Sequence, residues 1–245
     1  MTEDEVRRSA FAMPLHNPAY PLPPYRLVDC EFLVIVYRSD PAVLRRLLPA
    51  PLELAEPLVC FEFVRVADST FGPYCEASQV IPATLHGELG QFIHGAYLSS
   101  HGSMAAGREL WGLPKKLGRA ELRVCKDTLM GTLDHGGMRI AAGTMGYKHR
   151  QIETAPVVEM LKRPGFVLKI VPHVDGRPRI CELVRHAFSD VVVKNAWAAP
   201  GAIELHAHAR LPVAELPAGE VVSAMHFIAD LTLPAGTVAH DYLLA

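Results

Sequence analysis

Along most of the chain, apolar residues either alternate with polar ones or gather in short runs bounded by Gly, Pro, Asn and Asp, which is the signature of strands and turns. Leu58 to Val66 shows it most clearly: Phe61, Phe63 and Arg65 fall on one face, and Cys60, Glu62 and Val64 on the other. Glu31 to Tyr37, Gln79 to Leu85 and Gln91 to Leu98 read as further strands. Arg119 to Cys125, Thr128 to Leu133 and Met138 to Met145 form a meander that turns at His135-Gly136-Gly137. Phe166 to Val171, Glu182 to Phe188, Val191 to Lys194, Ala202 to Ala209 and Val221 to Leu233 supply more strands. Helical signals are few. Asp40-Pro41 caps a short helix through Leu48 with Val43, Leu44, Leu47 and Leu48 on its apolar face, and Thr154-Ala155-Pro156 starts another that runs toward Lys162 and stops at Pro164. This pattern predicts a mainly β (α+β) fold, a barrel or a wrapped antiparallel sheet with a few short helices. No linker divides the chain, so residues 1–245 read as one domain; residues 1–25 form an N-terminal arm, since Pro14, Pro18, Pro21, Pro23 and Pro24 favour extended chain over helix.

Two departures from this pattern carry chemistry, the first of them the pair of carboxylates Glu62 and Glu76. Glu62 is a carboxylate among apolar neighbours and needs a partner, for which spacing alone suggests a strand-edge ion pair. Asp68 to Glu76 is rich in turn residues and presents Glu76 at its end. The second departure is the run Gly107-Arg108-Glu109-Leu110-Trp111-Gly112-Leu113-Pro114-Lys115-Lys116-Leu117-Gly118, which sets two lysines in apolar surroundings behind a proline. Pro114 pushes Leu113 toward extended chain, and neighbouring residues of an extended segment face opposite ways, so the two lysines are not equivalent. A neutral lysine is a nucleophile toward ketones, and two forces can neutralise it: loss of solvent and a like charge nearby. Taking a lysine from about 10.4 to about 6 requires roughly 6 kcal/mol. A second ammonium about 8 Å away supplies about 2 kcal/mol at intermediate screening, so burial has to provide the larger share. The pair Arg108-Glu109 reads as an ion pair bracing this segment, and His206 and His208, two apart on a strand, read as a solvated polar face that lacks a third metal ligand.

Composition narrows the function by exclusion. The net charge of −2 with 20% charged residues gives no footprint for nucleic acid or an anionic membrane. The cysteines Cys30, Cys60, Cys75, Cys125 and Cys181 are widely spaced, with no Cys-x-x-Cys pair, and fit reduced thiols in a cytoplasm. The start Met1-Thr2-Glu3-Asp4-Glu5 has no apolar core of a secretory signal, and no apolar run reaches the roughly 18 residues of a membrane span. Neither a Gly-rich phosphate loop in Rossmann context nor a Gly-x-Ser-x-Gly elbow is present.

The lysine run, together with Ile35-Val36-Tyr37-Arg38, Glu56-Pro57-Leu58-Val59, Thr144-Met145-Gly146-Tyr147-Lys148-His149, Arg179-Ile180-Cys181-Glu182-Leu183 and Asp241-Tyr242-Leu243, resembles the acetoacetate decarboxylase family over nearly the whole chain and in the same order. That family is itself a known example of a lysine activated by apolar burial or a neighbouring cation. The resemblance implies a cofactor-independent and metal-free carboxy-lyase that converts acetoacetate, or a close 3-oxo acid, to a ketone such as acetone and carbon dioxide through a Schiff base. It assigns the Schiff-base lysine to Lys115, its pKa-perturbing neighbour to Lys116, an essential carboxylate to Glu76 and a second pocket glutamate to Glu62. It also implies a homo-oligomer, in which the proline-rich arm can cover a neighbouring subunit. Two positions depart from the family's pattern: Cys30 stands where a basic residue is common, and Leu113 where an aromatic is common, so both belong to the substrate pocket. They keep open a Schiff-base aldolase-dehydratase or other enamine chemistry of the same superfamily; a non-catalytic barrel that binds small carbonyl compounds is the alternative from another class.

Overall fold

A computed structural model describes residues 1–244. Its main element is a 13-stranded sheet, and a second, 4-stranded sheet is built from Arg119–Cys125, Thr128–His135, Met138–Gly146 and Gly201–Leu205. The large sheet is wrapped but open. Its strand order runs from Arg150–Gln151 at one edge to Thr237–Asp241 at the other, and these edges do not pair, so the wrapped sheet is the form observed and the closed barrel is not. The strand Tyr25–Arg38 lies near its middle, antiparallel to both Val221–Leu233 and Leu58–Val66.

Alternation along these central strands divides the interior into two layers. Leu33, Ile35, Tyr37, Phe61 and Phe63 face the small sheet and form the larger core with Leu129, Leu133 and Ile140. Cys30, Phe32, Val34 and Val64 face the other way, toward the helix Ala155–Lys162, whose Val157 and Leu161 close that side. Glu62 shares the second face with Cys60 and Val64, and Arg65 shares the first with Phe61 and Phe63. On that first face Arg65 meets Glu31 at 2.6 Å, and the same carboxylate lies 2.9 Å from His226 Nε2.

One helix has the extent that its cap dictates. The Asp40 carboxylate accepts from Ala42 N at 2.7 Å, and Pro41–Leu47 is helical with Leu44 buried. Two expectations are revised. Tyr74–Leu85 is one continuous strand, so Glu76 lies on a strand and not in a turn. The strand Gly201–Leu205 ends before His206 and His208; the Nδ1 of His208 accepts the backbone N–H groups of Arg210 and Leu211 and ties down a loop. The N-terminal arm folds back on its own chain, where Tyr20 is buried beside Trp111 and Tyr25. Among the described residues no helix is long and apolar enough to cross a membrane.

Candidate active site

The cross-strand register places the principal site residues. Glu62 pairs with Ser78, Ser78 with Ala96, and Ala96, in the parallel pairing, with Lys115, so the four lie in one row across adjacent strands. Residues in register project to the same face, and the small side chains of Ala96 and Ser78 leave room above the sheet between Glu62 and Lys115. Glu76 precedes Ser78 by two residues, shares its face and enters from the next row, opposite Val64. Lys116 pairs with Tyr97, which faces the other core, and this reversal separates the two lysines.

The resulting cavity has a volume of about 170 Å³. Leu27, Phe32, Val66, Leu231 and Leu233 supply apolar wall, while Lys115, Glu76, Glu62 and Ser78 supply polar groups. Cys30 and Leu113 also line it. Lys115 is only 6% exposed, and its Nζ lies 3.0 Å from Ser103 Oγ and 3.1 Å from Glu76 Oε2. The exposed Lys116 donates instead to the Arg210 carbonyl oxygen at 2.6 Å. Lys115, Glu76, Glu62, Cys30 and Leu113 therefore meet at one cavity, and Lys116 stands outside its wall.

Lys115 is held by an unusual local structure. The helix His101–Ala106 continues into a π-helical turn, Gly107–Trp111, of a kind that recurs at functional sites. Gly112 then ends it in the left-handed region at φ 82°, where any side chain would overlap the Cα of Lys169. Arg108 and Glu109 do not pair with each other. Arg108 Nη1 donates to the Lys115 carbonyl at 3.0 Å, and the Tyr20 hydroxyl donates to Glu109 Oε2. Gly107 borders the lysine stem directly: a Cβ there would lie 2.8 Å from Lys115 Cδ and 2.9 Å from Cε.

Burial gives the cavity its acid–base character. It pushes the Glu62 carboxyl up to about 7; the Ser78 hydroxyl, donating at 3.0 Å, acts against this, and the nearby Glu76 charge adds to it. Among the described residues no basic group pairs with Glu62, so the strand-edge ion pair expected from spacing is replaced by a hydroxyl donor on a central strand. Burial, assisted by the charges of Asp230 and Asp29, pushes the Cys30 thiol up to about 12, so Cys30 contributes no charge to the wall. Burial also raises Tyr74, whose hydroxyl neighbours Glu76 and Ser103.

A family model described as acetoacetate decarboxylase matches residues 12–243. The chain belongs to the acetoacetate decarboxylase family. It is 54% identical to an acetoacetate decarboxylase of Chromobacterium violaceum, with 99% of both chains covered. It is 57% identical to acetoacetate decarboxylase 2 of Mesorhizobium japonicum, covering 99% of this chain and 94% of that one. The crystal structure of an acetoacetate decarboxylase from Legionella pneumophila superposes with a TM-score of 0.92 at 46% identity, covering 97% of this chain and 96% of that one.

Ser103, Ser78 and Tyr74 belong to the cavity's chemistry although no motif singled them out. Ser78 is legible only once its strand is paired with that of Glu62, and Ser103 only once its helix is laid over Lys115. Because carbon atoms rest about 3.5 to 4 Å apart, Gly107→Ala should displace the Lys115 ammonium by roughly 1 Å from Ser103 and Glu76. A crystal structure of the folded variant checks this, and a lysine in its original place would contradict it.

Proposed function

We propose that the protein decarboxylates acetoacetate, or a close 3-oxo acid, through a Schiff base on Lys115. The observation that carries this reading is the Lys115 Nζ, sealed from bulk water at a small cavity and held between Ser103 and Glu76. Glu76, 3.1 Å away, is in place to take a proton from the ammonium. The freed amine adds to the ketone carbon, and loss of water gives a protonated imine. The C–C bond to the carboxylate then breaks. Its electron pair passes into the enamine as carbon dioxide leaves, so the iminium serves as the electron sink that a cofactor would otherwise supply. Protonation of the enamine carbon and addition of water to the imine release the ketone and return the amine.

Glu62 suits the protonation step. A carboxyl raised to about 7 is largely neutral below that pH and largely ionised above it, so near neutrality it can both hold and deliver a proton. Lys116, directed away from the cavity, acts in this reading only as a distant positive charge. The neutral Cys30 and the aliphatic Leu113 in the cavity wall keep aldol-dehydration through the same imine as the second reading. We further propose one domain, 1–245, with the arm 1–25 folded onto it, working as a homo-oligomer. The exposed Met13 and Leu22 on the arm offer apolar surface for contacts between subunits.

Carbon dioxide release from acetoacetate by the purified protein tests the reaction. Lys115→Arg should abolish it without unfolding the protein, because a guanidinium is not deprotonated and forms no imine; undiminished turnover in that variant would remove Lys115 from the mechanism. Turnover should decline as pH rises through about 7 while Glu62 loses its proton. In Glu62→Gln the rate should be low and that limb absent, whereas a limb that persists belongs to another group. Light scattering at micromolar concentration should give a multiple of 26.8 kDa, and a monomeric mass would contradict the assembly.

A further inference from the structure

A second row of residues crosses the cavity wall. Gln91 pairs with Gly165 on the parallel neighbouring strand, and Gly165 pairs with His186 on the next, so the three stand in register and all line the cavity. Gly165 leaves a gap between two polar side chains on one face. A Cβ on Gly165 would lie 2.5 Å from both Cε1 and Nε2 of His186, so the imidazole lies over the glycine.

His186 is the anomaly of this wall. It is 7% exposed, and neither Nδ1 nor Nε2 has a hydrogen-bond partner among the described residues. Burial, with the charges of Arg185 and Lys115, lowers its pKa to about 4, so at neutral pH the ring is uncharged and carries one N–H. A buried donor left unmet is costly, a deficit that a bound acceptor would remove. Neither nitrogen has accessible surface in the empty cavity; a half-turn of the ring exchanges them with Cδ2 and Cε1 at constant volume. Lys115, Glu76, Ser78 and Glu62, by contrast, are bonded among themselves or to Ser103. Arg163, two residues before Gly165, brings an exposed guanidinium to the same wall. Cys30, Phe32 and Leu231, which line the same cavity, offer no charge of their own to an anion.

Building on the decarboxylase reading above, we propose that Gln91 and His186 form the subsite that orients the carboxylate of the 3-oxo acid, with Arg163 drawing the anion in from the rim. The chemistry favours uncharged donors here. The carboxylate loses its charge as carbon dioxide departs, and a cation in direct contact would stabilise the ground state more than the transition state. Neutral N–H groups aim the carboxylate with less of that penalty.

The test compares a ligand that has a carboxylate with one that lacks it. His186→Phe keeps a flat ring and removes both nitrogens. It should raise KM for acetoacetate about tenfold, the worth of one hydrogen bond, while the acetone concentration that half-saturates borohydride trapping on Lys115 stays the same. His186→Gln, which restores an N–H donor, should recover part of the loss. Gln91→Met should shift KM in the same direction and carries the test if His186→Phe fails to fold. Equal changes for acetone and acetoacetate, or no change for either, would overturn the subsite. Absence of any Lys115 adduct in the wild-type protein would overturn the Schiff-base reading and this inference with it.

Discussion

The structure turns on keeping one amine out of water beside a carboxylate. A buried ammonium is costly unless it is paired and hydrogen-bonded, and Lys115 meets both conditions through Glu76 and Ser103. Each contact depends on a different part of the fold. Glu76 arrives on the strand Tyr74–Leu85, two strands from the lysine, a separation of about 10 Å that a long side chain spans only over small neighbours. Ala96 is that neighbour. Ser103 arrives on the helix before the lysine, and the π-helical turn then re-aims the chain so that Lys115 enters the sheet beside Glu88–Leu98.

The same arrangement separates charge from neutrality within a small space. Lys115 and Glu76 form the charged contact, whereas Glu62, across the row, is raised to about 7 by burial and keeps a proton near neutral pH. In the proposed reaction, two carboxyls with different environments divide the work of accepting and delivering protons. Cys30 and His186 are both held uncharged by burial, which leaves Arg163 as the charged side chain of the remaining wall. Lys116, only one residue from Lys115, spends its hydrogen bond on Arg210 outside the cavity.

What was legible in the sequence follows from how local its cause is. Alternation placed Leu58 to Val66 as a strand with Glu62 and Phe63 on opposite faces, and the Asp40-Pro41 cap placed a helix, because both signals lie within a few residues. The inequivalence of Lys115 and Lys116 was legible for the same reason. Glu62's partner was not, since Ser78 becomes its neighbour only through strand pairing. Nor was the helix His101–Ala106 with its π turn, a short element with no side-chain cap and with Gly102 and Gly107 weakening its helical signal. The closed barrel failed because closure depends on whether two distant edges meet, which no short pattern encodes. His206 and His208 alternate as a strand would, but the ladder ends at Leu205 and loop geometry takes over. His186 gave no signal at all: its interest lies in partners it lacks, which only packing reveals.

In the reaction proposed above, burial in this cavity, and not membership in a lysine pair, makes one amine the nucleophile. The most direct measurement is borohydride reduction of the protein with acetoacetate, followed by digestion and mass mapping of the segment that contains both lysines. A stable adduct is expected on Lys115 with none on Lys116, still formed at Lys115 in Lys116→Asn. An adduct on Lys116, or on both lysines equally, would contradict it.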